Sequence, residues 1–144
     1  MEKGKVNIFY VDDDADDRLL FEAALSEIND DAKLTVMEDS DELLHILENP
    51  PPTPNLIFVD LNMPRKNGYQ VLKEIKSNHS FKRLPVLILT TSAEKTIMEK
   101  ARSLGADAFI TKPSNFNSLK SILRKCLTAP WGGNAKNNFI IQAD

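Results

Sequence analysis

The chain has 144 residues, with 18 Lys and Arg against 21 Asp and Glu, for a formal net charge of −3, and is 42% hydrophobic. A domain of roughly 150 residues buries about 68–70% of the surface that its unfolded chain exposes, so one core is expected and two would be cramped. Mild acidity argues against a nucleic-acid binder held by bulk charge, the lone Cys126 and two histidines, His45 and His79, make neither a disulfide nor a Cys/His zinc set, and no apolar run approaches the ~20 residues of a bilayer span.

Along the chain, short apolar runs alternate with longer amphipathic stretches. Val6 to Val11 is β-branched and aromatic, and it stops at carboxylates: five of the six residues from Asp12 to Asp17 are Asp. Asp12 also interrupts any signal-peptide segment, so a cytoplasmic chain is expected. Arg18 to Ile28 reads as a helix with Leu19, Leu20, Ala23, Ala24 and Ile28 near one face. Leu34 to Met37 is a second strand, and Ser40 is placed to cap a helix that turns Leu43, Leu44 and Leu47 inward. Glu48 to Asn55 holds four of the eight prolines and reads as a stiff connector, in preference to a polyproline docking segment. Leu56 to Val59 and Val86 to Leu89 are continuous apolar runs, as strands buried on both faces should be. Helices are expected over Tyr69 to Ile75, over Glu94 to Leu104 with Gly105 just past its end, and over Phe116 to Leu127. Ala108 to Ile110 is the fifth strand. From Pro130 the periodicity is lost, and Trp131 with Phe139 to Ile141 is left to pack back on the domain or to cover a partner.

Five strand–helix units favour an α/β fold with a parallel sheet, because parallel strands need crossover connections. In an open parallel sheet, ligands bind at the carboxyl ends of the strands. Asp12 and Asp13 follow the first strand, Asp60 the third, Thr90 and Thr91 the fourth, and Thr111, Lys112 and Pro113 the fifth. Three carboxylates in one crevice repel one another, and a divalent cation removes that conflict. Oxygen ligands without His or Cys suit Mg²⁺, Mn²⁺ or Ca²⁺, and a site keeping several waters suits Mg²⁺. With a Lys and a hydroxyl added, the crevice is equipped for a phosphoryl group. Asp60, alone at the end of a central strand, is the natural nucleophile, and Asp12 with Asp13 the metal-holding pair. Asp14, Asp16 and Asp17 are read as the start of a helix, where a cap and first-turn carboxylates suit the positive dipole end. Cys126 falls on the apolar side of the last helix, where packing is favoured over redox chemistry.

Val11-Asp12-Asp13, Val59-Asp60-Leu61-Asn62-Met63-Pro64 with Gly68, Leu89-Thr90 and Thr111-Lys112-Pro113 together resemble the receiver domain of two-component response regulators. The resemblance covers residues 5–128 and leaves 129–144 as a short tail, too short for an output domain. The proline-rich connector and the Asn78-to-Leu84 loop are similar to stand-alone receivers that work with phytochrome-type histidine kinases. The family implies a flavodoxin-like, doubly wound five-stranded sheet in the order 2-1-3-4-5, with helices on both faces. It also implies that Asp60 accepts a phosphoryl group from a sensor kinase in a Mg²⁺-dependent reaction, Mn²⁺ serving as a substitute. Asp13 and Asp60 would ligate the cation with the Asn62 carbonyl, and Asp12 through a bound water. Lys112 would pair with a phosphoryl oxygen across a cis Lys112–Pro113 bond, Thr90 would reach the phosphoryl group, and Phe109 would follow as the aromatic switch. Two departures stand out: Phe109 lacks the hydroxyl of the commoner Tyr, and Thr91 replaces a smaller residue. Such a protein catalyses only its own phosphorylation and dephosphorylation. It signals by protein contact: a downstream target, a histidine phosphotransfer protein or a second copy, with no membrane or direct nucleic-acid partner.

Two other classes fit less well. A haloacid-dehalogenase-like phosphatase wants an acid two residues after the nucleophile, where this chain has Asn62. A flavodoxin-like cofactor binder wants an anion-binding loop after the first strand, where this chain is acidic.

Overall fold

A computed structural model describes residues 6–29, 31–63, 66–131 and 138–144; Lys5, Pro64 and residues 132–137, all within the stretches discussed above, lie outside them. Five strands, β1 (Asn7–Val11), β2 (Lys33–Met37), β3 (Leu56–Asp60), β4 (Val86–Thr90) and β5 (Ala108–Thr111), alternate with α1 (Ala15–Ile28), α2 (Ser40–Glu48), α3 (Gly68–Ser77), α4 (Lys95–Ser103) and α5 (Phe116–Thr128). All neighbouring strands pair in parallel, in the order β2-β1-β3-β4-β5. The doubly wound, flavodoxin-like sheet is the one expected.

Strand alternation divides the core in two, since successive side chains point to opposite faces. Phe9, Val11, Ile57, Val59, Ile88 and Phe109 pack on one side with Leu43 and Leu47 of α2, Val71, Leu72 and Ile75 of α3, and Ala101 of α4. Ile8, Tyr10, Phe58, Leu87, Leu89 and Ile110 pack on the other with Phe21, Ala24 and Leu25 of α1 and Ile122, Leu123 and Cys126 of α5. Burial of Cys126 pushes its thiol up to about 12, in keeping with a packing role.

Asp14 caps α1 as expected, its side chain accepting from the Asp16 and Asp17 N–H groups, so the helix starts at Ala15. Three local expectations are corrected, the first being the face that α1 buries. Its buried stripe is Phe21, Ala24 and Leu25, whereas Leu19 and Leu20 are exposed. The Phe21 ring decides that rotation: it stacks on Tyr10 at 4.1 Å between centroids and meets Phe58 edge-on at 5.1 Å. Second, Asp39 rather than Ser40 caps α2, accepting from the Glu42 N–H, while the Ser40 hydroxyl donates to the Lys66 carbonyl. Third, the cis bonds among the described residues are Pro50–Pro51 and Pro51–Pro52, and Lys112–Pro113 is not one of them. Trans is the isomer that an isolated X–Pro bond favours by about 0.5–1 kcal/mol, and from it the Lys112 side chain already reaches the acidic crevice.

The proline connector lies against the start of β1, where the Asn7 N–H donates to Asn55 Oδ1 and its amide to the Thr53 carbonyl. Gly105 has φ +101°, the left-handed conformation expected just beyond α4. The C-terminal residues run along the free edge of β5. The Phe109 N–H donates to the Phe139 carbonyl at 2.7 Å, and the Ile141 N–H to the Phe109 carbonyl at 3.1 Å. Arg102 lies over the Phe139 ring, and the Trp131 indole donates to the Cys126 carbonyl. Of the apolar residues whose placement was left open, Trp131, Phe139 and Ile141 pack on the domain, whereas Ile140 is exposed. No described helix is long and apolar enough to cross a membrane.

Candidate functional site

The carboxyl ends of β1, β3, β4 and β5 meet at one edge of the sheet, and the predicted site residues meet there with them. Asp12, Asp13 and Asp60 each offer an oxygen within 4.8 Å of the others'. Asp12 and Asp60 are buried at 0% and 4% exposure, and Asp13 faces solvent. This oxygen set, open on one side, fits a hard divalent cation that keeps part of its water.

Burial and the negative charge of Asp12 push the Asp60 carboxyl up to about 7, although Lys112 and the Asn62 N–H both oppose the shift. Bringing a cation to these oxygens would remove that penalty, which is the electrostatic case for a metal here. Asn62 sits beside Asp60, its N–H 3.4 Å from Asp60 Oδ1. Its side-chain amide donates to Thr90 Oγ1 at 3.3 Å, and that hydroxyl oxygen also accepts from the Ser92 N–H. Thr90 is fully buried, whereas Thr91 beside it is exposed. Phe109 lies deeper, fully buried against the α2–α3–α4 side of the sheet.

Lys112 Nζ lies 2.9 Å from Asp12 Oδ2, 2.8 Å from Asp17 Oδ2 and 3.5 Å from Asp60 Oδ1. Burial alone would lower its pKa, but the bonds to Asp17 and Asp12 and the charge of Asp60 outweigh it and hold the ammonium above its usual range. Asp12 is anchored from three directions: its Oδ2 accepts from the Tyr10 hydroxyl and from Lys112, and its Oδ1 from the Asp14 N–H. Its backbone carbonyl also accepts from Arg18. Burial and the bond to Asp12 raise the Tyr10 phenol, so it stays a donor.

Two contributors escaped the sequence reading. Tyr10 looked like core, and its ring is core; only the tertiary position of Asp12 gives its hydroxyl a partner. Asp17 looked like a helix-start carboxylate, and the first turn of α1 brings it back over the strand ends.

Gly68 is what lets α3 begin against the β3 exit. A Cβ there would lie 2.8 Å from the Asp60 carbonyl oxygen and 2.8 Å from Leu61 Cα, backbone atoms that cannot rotate aside. Gly68→Ala is expected to lower stability by about 1–3 kcal/mol, the usual cost of overpacking, read as a reduced urea midpoint. An unchanged midpoint would mean that the contact relaxes at no cost.

Comparison with known proteins agrees with this geometry. The family model described as the response regulator receiver domain matches residues 8–124. Response regulator Rcp1 of Synechocystis sp. is 36% identical over 120 residues, covering 80% of this chain and 81% of its own. The crystal structure of the phosphorylated cyanobacterial phytochrome response regulator RcpA superposes with TM-score 0.80 at 31% identity, covering 87% of this chain and 96% of that one. The Mn²⁺-bound form of Rcp1 gives TM-score 0.77, also at 31% identity, over 89% of this chain and 99% of that one.

Proposed function

Because this chain belongs to the response regulator receiver family, we propose that it accepts a phosphoryl group from a sensor histidine kinase onto Asp60 and signals through protein contacts. The observation that carries this reading is the convergence of Asp12, Asp13 and Asp60 on one cluster, with the Lys112 ammonium in reach of Asp12 and Asp60. In the transfer, an Asp60 oxygen bonds to phosphorus as the phosphorus–nitrogen bond of the donor imidazole breaks and its electron pair leaves with nitrogen. Asp12, Asp13, Asp60 and the Asn62 carbonyl would hold Mg²⁺, which supplies positive charge to the phosphoryl oxygens. Lys112 adds a second positive charge, and the Thr90 hydroxyl, which already ends beside Asn62, donates a hydrogen bond. The same residues serve hydrolysis, with water attacking phosphorus, so the chemistry is confined to the protein's own aspartate.

The relative named as a phytochrome response regulator supports a phytochrome-type kinase as donor, and the reaction is assigned to the cytoplasm. The receiver is assigned residues 5–128, with 129–144 as a tail. Output runs through the surface formed by α4, β5 and α5, as a population shift between two arrangements, toward a protein target, a histidine phosphotransfer protein or a second copy. The test is intact mass after incubation with acetyl phosphate and Mg²⁺. One labile phosphoryl group is expected, lost when the metal is chelated beforehand; no gain, or a stable gain on a hydroxyl residue, overturns the reading.

A further inference from the structure

The Lys112 ammonium is closer to Asp17 (2.8 Å) and Asp12 (2.9 Å) than to the carboxylate at which the phosphoryl group would arrive (3.5 Å, Asp60). The two nearer partners are not equivalent. Asp12 is wholly buried, and its Oδ2 keeps the Tyr10 hydroxyl whether or not Lys112 is present. Asp17 stands at the rim, its side chain 34% exposed, on a turn fixed by the bond from its own N–H to Asp14 Oδ1. It touches the crevice through Lys112, so its hold on the site is an ion pair with that ammonium.

We propose that Asp17 is a resting-state competitor for Lys112, a positioning residue that weakens the grip of the site on a phosphoryl group bound to Asp60. This rests on the phosphoacceptor reading above. An ammonium has three N–H donors, and two of them point to Asp12 and Asp17. A phosphoryl group on Asp60 draws Lys112 inward, which stretches the Asp17 pair, and the Asp17 charge also repels the incoming anion. Both effects have the same sign. Removing the charge at position 17 therefore tightens the anion-bound state, whereas a residue that merely held Lys112 in place would loosen that state when removed.

The experiment is titration of the full-length chain with beryllofluoride at saturating Mg²⁺, the bound fraction read by ¹⁹F NMR. Asp17→Asn is expected to bind about two- to fivefold more tightly than wild type, the range of a partly exposed ion pair. Asp17→Glu, which restores the charge, returns the wild-type affinity, and the Asn advantage shrinks as salt is raised. Equal or weaker binding by Asp17→Asn overturns the inference, and a misfolded variant cannot mimic the expected gain. Failure of the phosphoacceptor reading is distinct: wild type itself then takes up neither beryllofluoride nor a phosphoryl group from acetyl phosphate.

Discussion

Asp60→Asn is expected to reduce the phosphoryl gain from acetyl phosphate to background while leaving the fold intact. The two side chains have the same shape, and the Asn carbonyl oxygen can still accept from the Asn62 N–H that now lies 3.4 Å from Asp60 Oδ1. What is lost is the nucleophile: an amide has no anionic oxygen to attack phosphorus. Asp12 is the poorer nucleophile, because hydrogen bonds from Tyr10, Lys112 and the Asp14 N–H draw on the charge of its oxygens and hold them in place. Asp13 is exposed, and its carboxylate belongs to the cation set. Intact mass and peptide mapping of wild type and variant decide the matter. A phosphoryl group that persists in the variant on Asp12 or Asp13 refutes the assignment of Asp60.

The second large effect is on stability. With its carboxyl pushed up to about 7 in the folded protein, Asp60 binds its proton more tightly folded than unfolded, where an ordinary value near 4 applies. Between about pH 4 and pH 7 the folded state thus carries more of this proton, and unfolding stability falls as pH rises. The contribution is fully present below the unfolded value and gone above the folded one, a loss on the order of 4 kcal/mol from this group in metal-free protein. Other carboxylates impose slopes of their own, so the measurement is a difference: urea midpoints of wild type and Asp60→Asn from pH 4 to 8 in the presence of EDTA. The variant is expected to be the more stable at pH 8, with the gap closing toward pH 4. Mg²⁺ at a hundred times its dissociation constant should return about 2.7 kcal/mol to wild type at pH 8, and less to the variant. Parallel pH profiles would show that Asp60 is not held in its protonated form by the fold.

Both predictions depend on a charge imbalance that the sequence displays only partly. Asp12, Asp13, Asp60, Thr90 and Lys112 could be placed at one edge from the chain alone, because each directly follows an apolar run and parallel strands end at the same side of their sheet. How the charges share partners could not. The ion pair between Lys112 and Asp17 joins residues 95 apart. No local pattern distinguishes that carboxylate from Asp16, which stays at the exposed helix start. The Tyr10 hydroxyl likewise needed the position of Asp12 before it had a partner.

The alternation of five apolar runs with five amphipathic stretches determined the α/β class, since a buried parallel strand must be apolar on both faces and must be followed by a crossover. It determined most element boundaries to within a residue or two. It could not determine the rotation of α1, because a period of 3.6 leaves more than one candidate stripe in Arg18 to Ile28. The lodging of Phe21 between Tyr10 and Phe58 chose among them and left Leu19 and Leu20 in water. Nor could it place residues 139–141, whose backbone pairs with Phe109 at the edge of β5; an unpaired strand edge offers hydrogen bonds to any extended segment within reach. Sequence periodicity thus decided which residues are buried and what ends each strand. Tertiary packing decided which carboxylates hold the Lys112 ammonium, because electrostatic partnership follows distance in space, and that distance is set only once the helices have docked.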